Sequence, residues 1–317
     1  MAAVLVLLTL TVGVYLPMLS AGFVYEDRND RGALVQDWPG WSVTVERWLA
    51  QPLRSATNAS LDVNKALFGI QPWGFHLGNV IWHAVNVGLL FAVLGGGAAA
   101  LWAAAVFAVH PLNVEAVAYV SARSDLVSTA GVLLALWAAS AGKVSGAVLG
   151  VVLASLGKET AVVAWGLVPL WAAWTWARFP LMAWCGVGAV VAVLMFALTR
   201  LPVDLAWQPE ALLATWRGVS MVFLPLGFSI EHDWALWSHW HLPALVATVW
   251  VMVWAGYAWL YRSWWVFGVV WTLIVVAPRL VVPLYEGLHE RHFYVVLVGW
   301  CLCAGRQLSI VDARRST

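Results

Sequence analysis

Charge is scarce in this sequence: Asp, Glu, Lys and Arg make up 10% of its 317 residues, against 62% hydrophobic residues. Soluble domains carry about 25% charged residues, so most of this chain is not built to face water. Cysteine is nearly absent too. Cys185, Cys301 and Cys303 all fall in apolar helical stretches with no Cys/His spacing around them, which excludes a disulfide framework and leaves them as packing residues. No period-two alternation runs through the chain, which excludes a transmembrane barrel. It also lacks internal repeats, Pro-rich linkers, low-complexity tracts and a P-loop pattern, and no nucleic-acid partner is expected.

What is present is a succession of apolar runs, near 3–22, 73–94, 97–109, 124–141, 144–157, 161–177, 181–199, 243–261, 264–283 and 293–305. Backbone polar groups in a bilayer must be satisfied within each run, so these read as helices. The expectation is an all-α, polytopic membrane bundle of about ten transmembrane helices, in a range of roughly 9–11. The run 97–109 is short and ends at His110-Pro111, so it must extend into or bend within the interface. Residues 1–305 form one transmembrane domain and 306–317 a short basic cytoplasmic tail.

Orientation follows from the positive-inside rule. With the N-terminus inside, the cytoplasmic connections hold Lys143, Arg178, Arg262, Arg306, Arg314 and Arg315, and every acid except Asp312 falls outside. This requires the apolar segment 211–228 to be interfacial or re-entrant rather than spanning. The first 22 residues lack a basic leader and run into the most acidic stretch, so they are read as the first helix, not a signal peptide. Most of the 24 tryptophans suit an interfacial belt, and Trp38, Trp41, Val45, Trp48 and Leu49 recur at helical spacing, which fits an interfacial helix in the first outer loop or a stripe packed into the core.

Four constellations on the outer side carry chemistry-bearing residues. Glu26-Asp27, just after the first helix, serves as a general base, a metal site or a solvated loop, and spacing alone does not choose. Between two apolar helices lie His110, Asn113, Glu115, Arg123 and Asp125. Charges near hydrocarbon cost roughly 2.5–3.5 kcal/mol each unless paired or wet, so this crowding means a polar pocket or structural ion pairs. Lys158-Glu159 is a buried ion pair or an anion-binding corner. His289, Glu290, Arg291 and His292, with Glu286, permit a metal but lack the spacing of a zinc-protease helix. His76 and His83 share a helical face and are read as packing or hydrogen-bonding groups.

In this order, FVYED (23–27), PWGFHLGNVIWHAVN (72–86), VFAVHPLNVEAVAYVSARSDLVS (106–128), GKET (157–160), FLPLGFSIEHDW (223–234) and ERHFYVVLVGWC (290–301) resemble the membrane region of the transmembrane-and-tetratricopeptide-repeat O-mannosyltransferases. These are GT-C class glycosyltransferases. The stretch at 106–128 is the most specific. Glu26-Asp27 stands where the family usually has Asp-Asp, and its tetratricopeptide repeats are missing from this sequence.

The resemblance implies an inverting membrane glycosyltransferase. It would move a sugar, mannose in the family, from a polyprenyl-phosphate donor to the hydroxyl of a protein or glycan acceptor at the periplasmic, extracellular or ER-luminal face. Asp27 would be the catalytic base with Glu26 as its neighbour or substitute. Arg123, Lys158 and Arg291 would bind the donor phosphate. His110, Asn113, Glu115, Asp125, Glu159 and Glu290 would orient those cations or contact the sugar. No cofactor is fixed, and a divalent metal stays open. The competing classes are a lipid or solute transporter or flippase, and a non-catalytic membrane scaffold. A transporter is disfavoured by charges lying at one boundary rather than at the midplane.

Overall fold

The computed structural model describes residues 2–24, 27, 45–46, 48–49, 52–175, 179–180, 184, 209–226, 248–249, 252, 256, 263–280 and 289–315. Among them there are helices and no strands. The helices are α1 (Ala2–Tyr15), α2 (Ser55–Phe68), α3 (Pro72–Val93), α4 (Gly97–Val109), α5 (Val114–Ala118), α6 (Arg123–Ser140), α7 (Val144–Gly157), α8 (Ala164–Thr175), α9 (Pro209–Phe223), α10 (Trp264–Val276) and α11 (Tyr294–Arg315). Most of the expected runs at 181–199 and 243–261, Glu26 and most of the Trp38–Leu49 stripe lie outside the described residues. Trp48 of that stripe donates its indole N–H to Asp62 (3.1 Å).

Among the described residues, three helical stretches are long and apolar enough to cross a membrane: Ala2–Ser20, Pro72–Val93 and Glu290–Ala313. A fourth arises if Gly97–Val109 and Pro111–Ala118, bent by 52°, form one broken span. Large apolar side chains point outward along these helices, with Leu5 60%, Ile81 54% and Trp102 68% exposed. A surface of that kind suits hydrocarbon better than water.

The bend has a local cause. Pro111 has no N–H to offer the carbonyl of Phe107, four residues back, so that acceptor would be orphaned. The Asn113 amide donates to it instead (2.6 Å). His110 caps the new turn by accepting from the Leu112 N–H (3.2 Å), and its Nε2 reaches the Val222 carbonyl at the end of α9 (3.1 Å). The sequence thus both breaks the helix and repairs the break.

Helices α6 and α7 make the tightest pair. A Cβ on Gly131 would stand 2.6 Å from the Gly150 carbonyl oxygen, and one on Gly150 would stand 2.7 Å from the Gly131 oxygen. Small residues at this spacing let two backbones touch, which is how apolar helices associate where burial from water offers little. The outcome is a rigid pair that fixes where α6 begins and α7 ends. The turn joining α3 to α4 is reached through Gly95, Gly96 and Gly97, all at positive φ, where only glycine is unstrained.

Along α3 the residues His76, Asn79, His83 and Asn86 form one buried polar stripe. Their spacing of three, four and three residues places them on one helical face. A parallel apolar stripe, Leu77, Val80, Ile81, Ala84 and Val85, lines a groove of about 300 Å³ shared with Leu8, Val12 and Tyr15 of α1.

Candidate functional site

The charged residues of the 110–125 connection meet the starts of α3 and α11 and the end of α7, so they gather at one end of the bundle. Asp27 is fully buried there. One carboxylate oxygen accepts from the Val120 N–H (3.2 Å), and the other from the Ser121 N–H (3.1 Å) and the Ser121 hydroxyl. The acid is therefore clamped to the turn that starts α6. Burial pushes the Asp27 carboxyl above its ordinary range, while the Ser121 and Val120 hydrogen bonds and the charge of His76 pull it back. A carboxylate held this way is a stronger base than an exposed one.

Arg123 follows directly and is also fully buried. Its Nε donates to Asn79 (2.7 Å), one terminal nitrogen to the Ser60 carbonyl (3.1 Å) and to the Asn64 side chain, and the other to the Phe75 carbonyl (2.6 Å). Hydrogen bonds to a charged group contribute roughly 1.5–3 kcal/mol each, so this cage of neutral oxygens holds α2, α3 and α6 together. Asn79 extends it by donating to the carbonyls of Val117 (3.1 Å) and Tyr119 (3.0 Å). The geometry places Arg123 among protein acceptors; its charge acts on Asp27 across space.

Gly78 makes the cage possible. A Cβ there would stand 2.6 Å from a terminal nitrogen of Arg123 and closer still to the Asn64 side chain. Gly78→Ala is expected to displace the guanidinium and cost about 1–3 kcal/mol, the usual penalty for overpacking, which thermal unfolding in detergent would register.

The other candidates form separate pairs. Lys158 binds both oxygens of Asp125 (2.7 and 2.8 Å), with both side chains nearly buried. Its neighbour Glu159 instead takes Arg54 in a two-point pair (3.1 and 2.8 Å) at the exposed rim. Lys158 and Glu159 thus take different hydrogen-bond partners, one facing the bundle and the other turned outward, while the Lys158 charge still acts on the Glu159 carboxyl. Glu115 accepts from the Arg291 side chain (2.6 Å) and from its backbone N–H (2.9 Å), and Arg291 also stacks over the Tyr119 ring at 5.1 Å. Glu290 is buried beside them.

The residues thus share one end of the bundle but divide into an Asp27–Arg123 group, an Asp125–Lys158 pair, a Glu115–Arg291 pair and an Arg54–Glu159 pair. Among the described residues no three His, Cys, Asp or Glu side chains stand close enough to hold a metal ion. His292 Nδ1 accepts the His289 backbone N–H (3.1 Å), so that ring caps the turn before α11. Glu286 lies outside the described residues. Asn79, Ser60, Asn64, Ser121 and His76 belong to the site without having been singled out for it. For His76 and Asn79 the signal in the sequence was the polar stripe His76, Asn79, His83, Asn86 crossing an otherwise apolar helix; Ser60, Asn64 and Ser121 had none.

Fold and site together define a helical protein with helices apolar enough to span a membrane and a buried carboxylate–guanidinium group at one end. The chain is similar to protein O-mannosyl-transferase TMTC2 of Mus musculus and of Homo sapiens, each 32% identical over 152 residues, covering 43% of this chain and 18% of the relative. It is likewise similar to protein O-mannosyl-transferase Tmtc1 of Drosophila melanogaster, 36% identical over 137 residues, covering 38% of this chain and 16% of that protein. The match therefore spans less than a fifth of these curated relatives. No protein-family model matches the chain, and neither does any solved structure.

Proposed function

We propose that the chain is an integral membrane glycosyltransferase of the GT-C type. In this reading it moves mannose from a polyprenyl-phosphate donor to an acceptor hydroxyl, with inversion, at the outer face of the membrane. The observation that carries the reading is Asp27: a buried acid with a raised pKa, fixed by three hydrogen bonds to one turn beside a buried cation. The likeness to proteins named O-mannosyl-transferases supplies the reaction class.

A hydroxyl is a weak nucleophile at neutral pH, so a carboxylate placed to take its proton as the new bond forms lowers the barrier. Charge develops on the departing phosphate, and fixed cations stabilise it. Arg291 is the cation assigned to the phosphate, since its partner Glu115 leaves it at the edge of the 110–125 connection. Arg123 and Lys158 serve by position and charge, holding the turn that carries Asp27. His110 and Asn113 keep the bend beside them in shape. The apolar groove between α1 and α3 supports lateral entry of a lipid-linked donor, because its lining residue Leu77 adjoins His76 at the site end.

About ten spans, with both termini cytoplasmic, complete the proposal. Incubating the purified chain with labelled polyprenyl-phosphate sugars and a serine- and threonine-rich peptide tests it. Transfer of mannose to the peptide is expected; an intact, folded protein that neither releases nor transfers any sugar would refute it.

A further inference from the structure

His76 and His83 sit seven residues apart on the same buried face of α3, yet their surroundings differ. His83 is fully satisfied: one ring nitrogen meets the Tyr294 hydroxyl (2.6 Å) and the other the Ala108 carbonyl (3.1 Å). His76 is 2% exposed, and neither of its ring nitrogens has a hydrogen-bond partner. An unmet buried polar group costs about 1–3 kcal/mol, so a residue kept only for packing would be better apolar.

Asn79, one turn on from His76, donates to the Val117 and Tyr119 carbonyls, and Asp27 accepts from Val120 and Ser121 of the same turn, so His76 and Asp27 flank one segment. The carbonyls of Ala21, Gly22 and Ala118 face the ring without reaching hydrogen-bond geometry, and the Asp27 carboxylate acts on it electrostatically. The charged groups on the packed elements are otherwise engaged. Arg123 of α6 is caged and Asp125 is held by Lys158; Glu115 of α5 is held by Arg291, and on α2 Asp62 accepts from Trp48 with Lys65 buried beside it. Helices α1 and α4 carry no charge.

We propose that His76 is a positioning residue that shares the acceptor's proton with Asp27, an inference resting on the glycosyl-transfer reading above. The acceptor O–H gives its proton to an Asp27 oxygen as its own oxygen bonds to the anomeric carbon. The bond from that carbon to the phosphate oxygen breaks, and its electron pair leaves on the phosphate. The proton then passes from Asp27 to a His76 ring nitrogen. This returns the carboxylate to its ionised form beside Arg123 and leaves the site with one net positive charge opposite the departing phosphate. Protonating Asp27 alone would strip Arg123 of the buried counter-charge that Asp27 supplies.

The test is an infrared titration of the Asp27 carboxyl band in the full chain, the band being assigned by its loss in Asp27→Asn. An imidazolium nearby favours the carboxylate, so His76→Gln should raise the Asp27 midpoint by about one pH unit or more. His83→Gln should leave it in place. With polyprenyl-phosphate mannose as donor, His76→Gln should lower kcat and move the acid limb of the pH profile in the same direction, with the donor KM unchanged. An Asp27 midpoint identical in wild type and His76→Gln overturns the pair.

A second measurement covers a variant that does not fold. In wild-type protein labelled at histidine nitrogens, the His76 resonance should change through the Asp27 step, because interacting groups titrate together. A His76 signal unaffected by that step also overturns the proposal. Neither spectroscopic arm needs turnover, so absence of transfer by the wild type counts against the glycosyltransferase reading alone.

Discussion

Asp27→Asn is expected to reduce turnover about 10²–10⁴-fold, the usual worth of a positioned general base, with donor affinity nearly unchanged. The amide keeps the shape of the acid but has no basic oxygen for the acceptor's proton. It also has a structural cost that can be foreseen. One asparagine oxygen can keep the Ser121 donors, but the NH₂ then faces the Val120 N–H, where the carboxylate now accepts. Ser121→Ala separates the two effects, since it loosens the same clamp while leaving the carboxylate intact. A steady-state assay of the two variants, with unfolding curves beside it, should find Asp27→Asn far slower than Ser121→Ala at similar stability. If both variants turn over at the wild-type rate, the carboxylate-base mechanism fails.

Lys158→Ala should produce the largest change in stability. Lys158 and Asp125 are buried together, with side-chain exposures of 10% and 4%. Removing one member of a buried pair leaves the other charge uncompensated, at a cost of about 3–5 kcal/mol. The double variant Asp125→Leu with Lys158→Met should recover most of that loss, because two apolar groups need no counter-charge. Thermal unfolding in detergent reads both. An additive loss in the double variant would show that the pair acts through something other than its charges. The pair also anchors the end of α7, where the Gly157 carbonyl accepts from Thr57 of α2 (2.8 Å).

Several elements were legible in the sequence because a single local rule determines them. Pro111 dictated a break after residue 109, and α4 ends at Val109. The runs at 3–22, 73–94 and 293–305 correspond to the three long apolar helices, since length and hydropathy alone define such a span. The crowded polar residues at 110–125 were read as a polar pocket or ion pairs, and in the structure Glu115 pairs with Arg291 and Asp125 with Lys158. Which groups would meet there was not legible, because pairing depends on how α2, α3, α7 and α11 dock against that connection.

Two examples show the limit. Lys158 and Glu159 are adjacent in sequence, but the chain leaves α7 in extended conformation at Lys158, and neighbours along an extended segment point to opposite sides. One finds Asp125 and the other Arg54. The resemblance implied that Arg123 binds the donor phosphate. In the structure Ser60, Asn64, Phe75 and Asn79 accept hydrogen bonds from its guanidinium through neutral oxygens, and all four are brought to it by the tertiary packing of α2 and α3. The same packing isolates His76, whose unusual surroundings no spacing rule reveals.

The most direct measurement is mannose transfer in sealed proteoliposomes that contain polyprenyl-phosphate mannose, with the hydroxyl peptide supplied on one side at a time. Transfer should occur only when the peptide is on the side that carries the 110–125 connection, with inverted configuration at the anomeric carbon, and Asp27→Asn should abolish it. Movement of the lipid-linked sugar between leaflets, with no sugar reaching the peptide from either side, would contradict the transferase reading and identify a transporter instead.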